Sequence, residues 1–222
     1  MNRNSNGIIF INIMRTFLKH IILAFFVLCS ISTKAQDRLG FCPLQDLNFL
    51  LDGYDERLEK ILQEHLSEDY IIRCIYRPSF DPEWVLQVER DPELGHYQII
   101  TLSFEKNLWY HKNDTIGTTM KFMHIEQDKA LELINLTVLF IENKSNIMLG
   151  GCLDCESIQF NVNVCGDIQC GAIEYLIENS LTGRLVKIFD VLKACVFSGT
   201  TNQEVFNLIK CLYNEASALC RR

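Results

Sequence analysis

Four cysteines fall within nineteen residues, as Cys152-Leu153-Asp154-Cys155 followed by Cys165 and Cys170. That spacing is open to three chemistries. Disulfides would tie a hairpin to its approach loop, the usual use of cysteine at this density in an oxidising compartment. Four thiolates could instead hold zinc, since a Cys-x-x-Cys knuckle with two further cysteines supplies a tetrahedral set. The four-residue gap between Cys165 and Cys170 is wider than such knuckles favour. A redox-active pair, Cys152 with Cys155, would need its first cysteine at a helix N-terminus to lower its pKa, and the residues after Cys155 read as a strand. Structural disulfides are therefore expected, with no metal and no cofactor. Ten cysteines are present in all. Nine of them follow Cys29, an odd number that predicts at least one unpaired or intermolecular thiol. Cys74, Cys195 and Cys211 lie inside amphipathic stretches, where a free thiol serves as a small apolar filler.

Other residues with chemical potential are scattered. His65, His96, His111 and His124 lie in different segments, and no G-x-S-x-G, H-E-x-x-H or S-x-x-K pattern accompanies them. No catalytic residue is assigned. Trp84, Trp109 and Tyr110 stand near strand ends, in Arg77-Pro78-Ser79-Phe80-Asp81-Pro82-Glu83-Trp84 and Asn107-Leu108-Trp109-Tyr110-His111. There they are candidate binding aromatics, with core packing as the competing role.

The elements that must position these groups follow from periodicity. Asp55–Leu66 has a helical stripe of Leu58, Ile61, Leu62 and Leu66. From Tyr70 the period changes to two, giving strands at 70–76, 84–89, 96–104 and 120–125 with Pro78, Pro82, Asp91-Pro92 and Gly95 as turn residues. A helix follows from a cap at Asp128 to about Asn143, with Leu131, Ile134, Val138 and Ile141 expected inward. Next comes a hairpin, 157–162 and 168–176, around Gly166-Asp167. Helices at 183–196 and 203–219 close the chain, the first with Leu185, Ile188, Phe189 and Leu192 inward, the second with Val205, Leu208, Ile209, Leu212 and Ala216. Thr201-Asn202-Gln203-Glu204 has capping-box spacing. The order predicts an α+β domain: a mostly antiparallel sheet, meander plus hairpin, with helices packed on one face.

Residues 1–36 hold Arg3, Arg15, Lys19 and Lys34 and no acidic residue, with an apolar run at 21–28 and small residues at Thr33 and Ala35. This is the layout of a signal peptide cut near Gln36, leaving 37–222 as one domain; Met14 is a second candidate start. The apolar run is about half of the ~20 residues a spanning helix needs, so no membrane span is expected after cleavage. Leu28 before Cys29 is bulkier than a lipoprotein signal favours. Cleavage would shift the formal charge from −7 to −11, which disfavours nucleic acid and anionic membranes as partners.

The segment Thr33-Lys34-Ala35-Gln36, together with Arg73-Cys74 before Pro78-Ser79-Phe80 and the later Lys106-Asn107-Leu108-Trp109-Tyr110, resembles small exported Bacteroidetes proteins of unknown function. Gly150–Phe160 is similar to their turn before an aromatic-rich strand, Cys152 and Cys155 departing from that pattern. The resemblance implies an envelope location and brings no activity with it. The function expected is a non-enzymatic, periplasmic or extracellular binding domain, whose partner is an unknown protein or extracellular ligand. The alternatives are an exported hydrolase and a thiol–disulfide protein using Cys152 and Cys155.

Overall fold

The structure, a computed structural model, describes residues 38–39, 53–91, 95–145, 156–164, 166–174 and 178–220, all within a unit that runs Arg38–Arg222. Helix α1, Tyr54–His65, carries Asp55 and Glu56 in its first turn, negative charges that complement the helix dipole. Its apolar side, Tyr54, Leu58 and Leu62, is buried. Strands β1 (Tyr70–Arg77), β2 (Trp84–Arg90), β3 (Tyr97–Phe104) and β4 (Thr118–Ile125) then form an antiparallel meander. Helix α2 (Gln127–Glu142) carries the chain back across the sheet to the hairpin β5 (Ser157–Val164) and β6 (Asp167–Glu174). The hairpin joins through β5 to β1, so the strand order is β4-β3-β2-β1-β5-β6. Helices α3 (Leu181–Ser198) and α4 (Gln203–Cys220) end the fold.

The expected α+β class, with its antiparallel meander and hairpin, is what the structure shows. The helices, however, divide between the faces of the sheet. Register places Ile72, Cys74, Leu86, Val88 and Ile99 on one face, where they join Phe160, Phe189 and Leu192 in the larger core under α2, α3 and α4. The alternate residues Ile75, Val85 and Leu102 lie on the other face, with Leu58, Leu62 and Leu108. Alternation of side chains across a strand makes these two separate cores. Strand β2 is buried along almost its whole length, as a central strand covered on both faces must be.

The inward stripe of α2 differs from expectation. Ala130, Leu133, Leu136, Thr137 and Phe140 are buried along with Ile141, while Leu131 is exposed and Ile134 and Val138 are half-buried against the core. One side of α2 meets β1, β5 and β6 and another meets α4, so apolar residues occupy most of its circumference and no single stripe marks the sheet. On α4, Phe206 takes the buried place expected of Leu208, which is exposed. Its cap is Asn202, whose Oδ1 accepts from Glu204 N at 2.8 Å, one residue later than the expected Thr201 box. Ser180 Oγ caps α3 by accepting from Gly183 N at 2.9 Å, so the helix begins at Leu181, two residues before the expected start. Among the described residues no helix is long and apolar enough to cross a membrane.

Candidate binding surface

Two loops meet at one end of the sheet beside α1. The first joins β1 to β2, where Pro78 and Pro82 hold the backbone out of helical and ladder geometry. The second joins β3 to β4 and contains Asn107 through Asp114. Asn107 is buried and ties them together. Its Nδ2 donates to Asp81 O at 2.7 Å and Pro78 O at 3.4 Å in the first loop. Its Oδ1 accepts from Trp109 N at 2.9 Å and Tyr110 N at 3.3 Å in the second. The turn is thus made by an Asn side chain bonding to backbone two and three residues on.

Beneath this junction the carboxylate of Glu83, 1% exposed, accepts from Leu108 N at 3.0 and 3.1 Å and from the Tyr54 hydroxyl at 3.0 Å. Burial pushes the Glu83 carboxyl above its ordinary value, while the Leu108 N–H and the Tyr54 hydroxyl oppose the rise. Burial likewise raises the Tyr54 hydroxyl, with the charge of Glu83 adding to it. Arg57 reaches from α1 to donate to Leu108 O and His111 O, both at 3.1 Å, and to Asp114 O at 3.3 Å. On the outside, hydrogen bonds from His111 Nδ1 at 2.9 Å and Lys106 Nζ at 3.2 Å hold Asp114 below the usual carboxylate range.

This framework presents an aromatic pair to solvent. Phe80 is 73% and Tyr110 53% exposed. Their rings lie within 11° of parallel with centroids 6.1 Å apart. Trp109, half-buried, packs at 6.3 Å against Tyr54, and Lys112 Nζ stands 4.6 Å from its ring centroid. Of the aromatic candidates from sequence, Tyr110 is therefore on the surface and Trp109 at its margin. Trp84 is not part of it. That ring is buried on the three-helix face, stacked on Tyr76 at 5.3 Å with Lys193 Nζ at 4.6 Å, because its register partner Tyr76 also points toward α3. Phe80, Asn107 and Arg57 are the residues sequence reasoning passed over. The Pro-x-Phe-x-Pro turn was a usable signal for the first; Arg57 reads as an ordinary charge on an outer helical face.

A second polar group crosses the α1 face of the sheet beyond the end of the helix. Arg73 Nε donates to Gln87 Oε1 at 2.9 Å, and Arg73 Nη2 and Gln87 Nε2 both reach Ser67 O, at 2.7 and 3.1 Å. Glu89 accepts from Gln87 and from Gln98, each at 2.7 Å. The Arg73 guanidinium lies 4.1 Å over the Tyr70 ring. These groups satisfy one another, as buried polar side chains should, and they join α1 to the sheet.

Cys170, on β6, is disulfide-bonded. Cys152, Cys155 and Cys165 lie outside the described residues. Cys74 and Cys195 are free and buried, in line with a filler role, and burial pushes the Cys74 thiol well up. Cys211, expected to be a filler as well, is free but exposed, as is Cys220: it lies on the side of α4 away from Val205, Ile209 and Leu212. Among the described residues no group of three or more His, Cys, Asp and Glu side chains is placed to hold a metal ion. His65 bonds to Thr118, His111 to Asp114, and His124 packs on Phe122. Comparison with family models, curated proteins and solved structures returns no match for the chain.

Proposed function

We propose that this is an exported binding domain whose recognition surface is the Phe80–Tyr110 pair with the edge of Trp109. The observation that carries the reading is the contrast within the site: two large aromatic rings lie exposed, while the polar groups below them are buried and paired. Aromatic side chains anchor interfaces because they bury much area with few rotors to freeze, and a turn held in place lowers the ordering cost of binding. The basic, acid-free start of the chain and the likeness to small exported Bacteroidetes proteins support a periplasmic or extracellular setting. A disulfide at Cys170 suits the same setting, and we assign Cys152, Cys155 and Cys165 to structural bridges in its neighbourhood.

The test begins with a photo-crosslinking residue at position 110 in the exported protein, to capture and identify a partner, alongside a panel of purified surface glycans. Binding of the purified hit is then titrated. Phe80→Ala with Tyr110→Ala should weaken binding by about 2 kcal/mol or more, on the order of thirtyfold, with the melting temperature unchanged. Equal affinity of the double variant and wild type would refute the assignment.

A further inference from the structure

The two edges of the sheet are unlike. At the β6 edge, Lys144 Nζ donates to Cys170 O at 2.9 Å, Cys170 is disulfide-bonded, and the strand begins and ends with acidic residues, Asp167 and Glu174. Charge and cover of this kind keep an edge from pairing with other chains. The β4 edge has no acidic residue, and its side-chain ties, His65 Nε2 with Thr118 Oγ1 at 3.2 Å among them, leave the outer backbone uncovered among the described residues. Its eight residues pair with β3 in unbroken register from Thr118 to Ile125, without bulge or proline. Met120 and Phe122 are 51% and 62% exposed. The one lysine that would guard the strand, Lys121, is turned back onto the end of α3, donating to Phe197 O at 3.0 Å and lying 5.2 Å from the Phe197 ring. Among the described residues no strand pairs with the outer side of β4.

Backbone geometry says which groups face out. Glu105 N donates to Gly117 O at 2.9 Å, and hydrogen-bonded pairs in an antiparallel ladder alternate. The inward bonds of β4 therefore fall at its odd-numbered residues, and the N–H and C=O of Thr118, Met120, Phe122 and His124 point away from β3. Those are also the residues whose side chains share the face that bears Phe122.

We infer that β4 is a homodimerisation edge, pairing antiparallel with β4 of a second copy about a dyad at Phe122. Charge argues for this occupant. The chain is acidic, with formal charge −7, so two copies repel over most of their surface, but β3 and β4 contain no Asp or Glu. The register argues for it too. A dyad at Phe122 sets Phe122 against its own copy, Met120 against the partner's His124 and Lys121 against the partner's Met123. It pairs outward-facing backbone with outward-facing backbone and keeps the two lysines from lying opposite each other. The result is a continuous sheet through both copies, a form of strand addition with the isologous symmetry of a closed dimer.

Sedimentation equilibrium of the purified protein over a range of concentrations tests this independently of the Phe80–Tyr110 surface. Wild type should be a dimer, and Ile168→Lys on the other edge should stay dimeric. Phe122→Lys should be monomeric with unchanged circular dichroism. Met120→Pro deletes an outward N–H without touching the β3 ladder and should also be monomeric. Phe122→Cys should oxidise to a dimer linked at position 122, mapped by mass spectrometry, which tests the register even if the proline variant unfolds. A wild type that stays monomeric to its solubility limit overturns the inference. So does a dimer indifferent to Phe122→Lys, or a Phe122→Cys variant that forms no 122–122 link.

Discussion

At the residue scale the support of the aromatic surface rests on Glu83 and Asn107. Truncating Glu83 to Ala orphans the Leu108 N–H and the Tyr54 hydroxyl in the interior, at about 3 kcal/mol in total. Glu83→Gln keeps an acceptor and should cost far less. The pH dependence follows from the raised carboxyl: the folded state binds the proton more tightly than the unfolded one, so stability from this group is full below its ordinary value of 4.5 and declines as pH rises through the folded value. Urea unfolding of wild type and Glu83→Gln between pH 4 and neutrality should therefore show the variant gaining on wild type as pH rises; a constant gap would remove the titration of Glu83 from the account. Free thiols sort by exposure in the same way. Native alkylation followed by peptide mapping should label Cys211 and Cys220 at once, and Cys74 and Cys195 only after unfolding, since both are buried.

At the element scale the helices end where side chain and backbone chemistry say they should. Gly199 closes α3 at φ +68°, a left-handed position that a residue with a Cβ adopts at a cost of about 1 kcal/mol. Gly199→Ala should lower stability by about that amount, read by chemical denaturation, with the sheet unperturbed. Removal of the α3 cap by Ser180→Ala should cost about 1 kcal/mol, measured the same way. The ranges of α1, β1, β2 and β3 were legible because their apolar residues repeat cleanly. The face of α2 was not: between the sheet and α4 it needs apolar groups on two sides, and a periodicity test then finds more than one stripe.

For the whole molecule, two cores share one sheet. Trp84 reports on the three-helix face and Trp109 on the α1 face. Because β1 and β2 contribute to both, loss of either core removes the platform of the other, and unfolding should be a single transition. Fluorescence of single-tryptophan variants, Trp84→Phe and Trp109→Phe, should give coincident curves in denaturant. Leu58→Ala on α1, 2% exposed, should cost about 3 kcal/mol and move both curves together. Separate midpoints would show that α1 unfolds alone.

By itself the sequence determined the α+β class, the order of the elements and their approximate bounds, since these depend on local period, caps and turn residues. It also marked Tyr110 and Trp109 as residues near a strand end, and Cys74 and Cys195 as apolar fillers. Only the tertiary structure decided that α1 takes the face opposite the other three helices, that Trp84 is core, that Cys211 is exposed and that Phe80 stacks beside Tyr110. The reason is physical. Period two says that a strand has two faces without saying which helix covers either, and the Phe80–Tyr110 contact joins residues thirty apart through the bonds of Asn107. Those bonds exist only once β2 and β3 have paired.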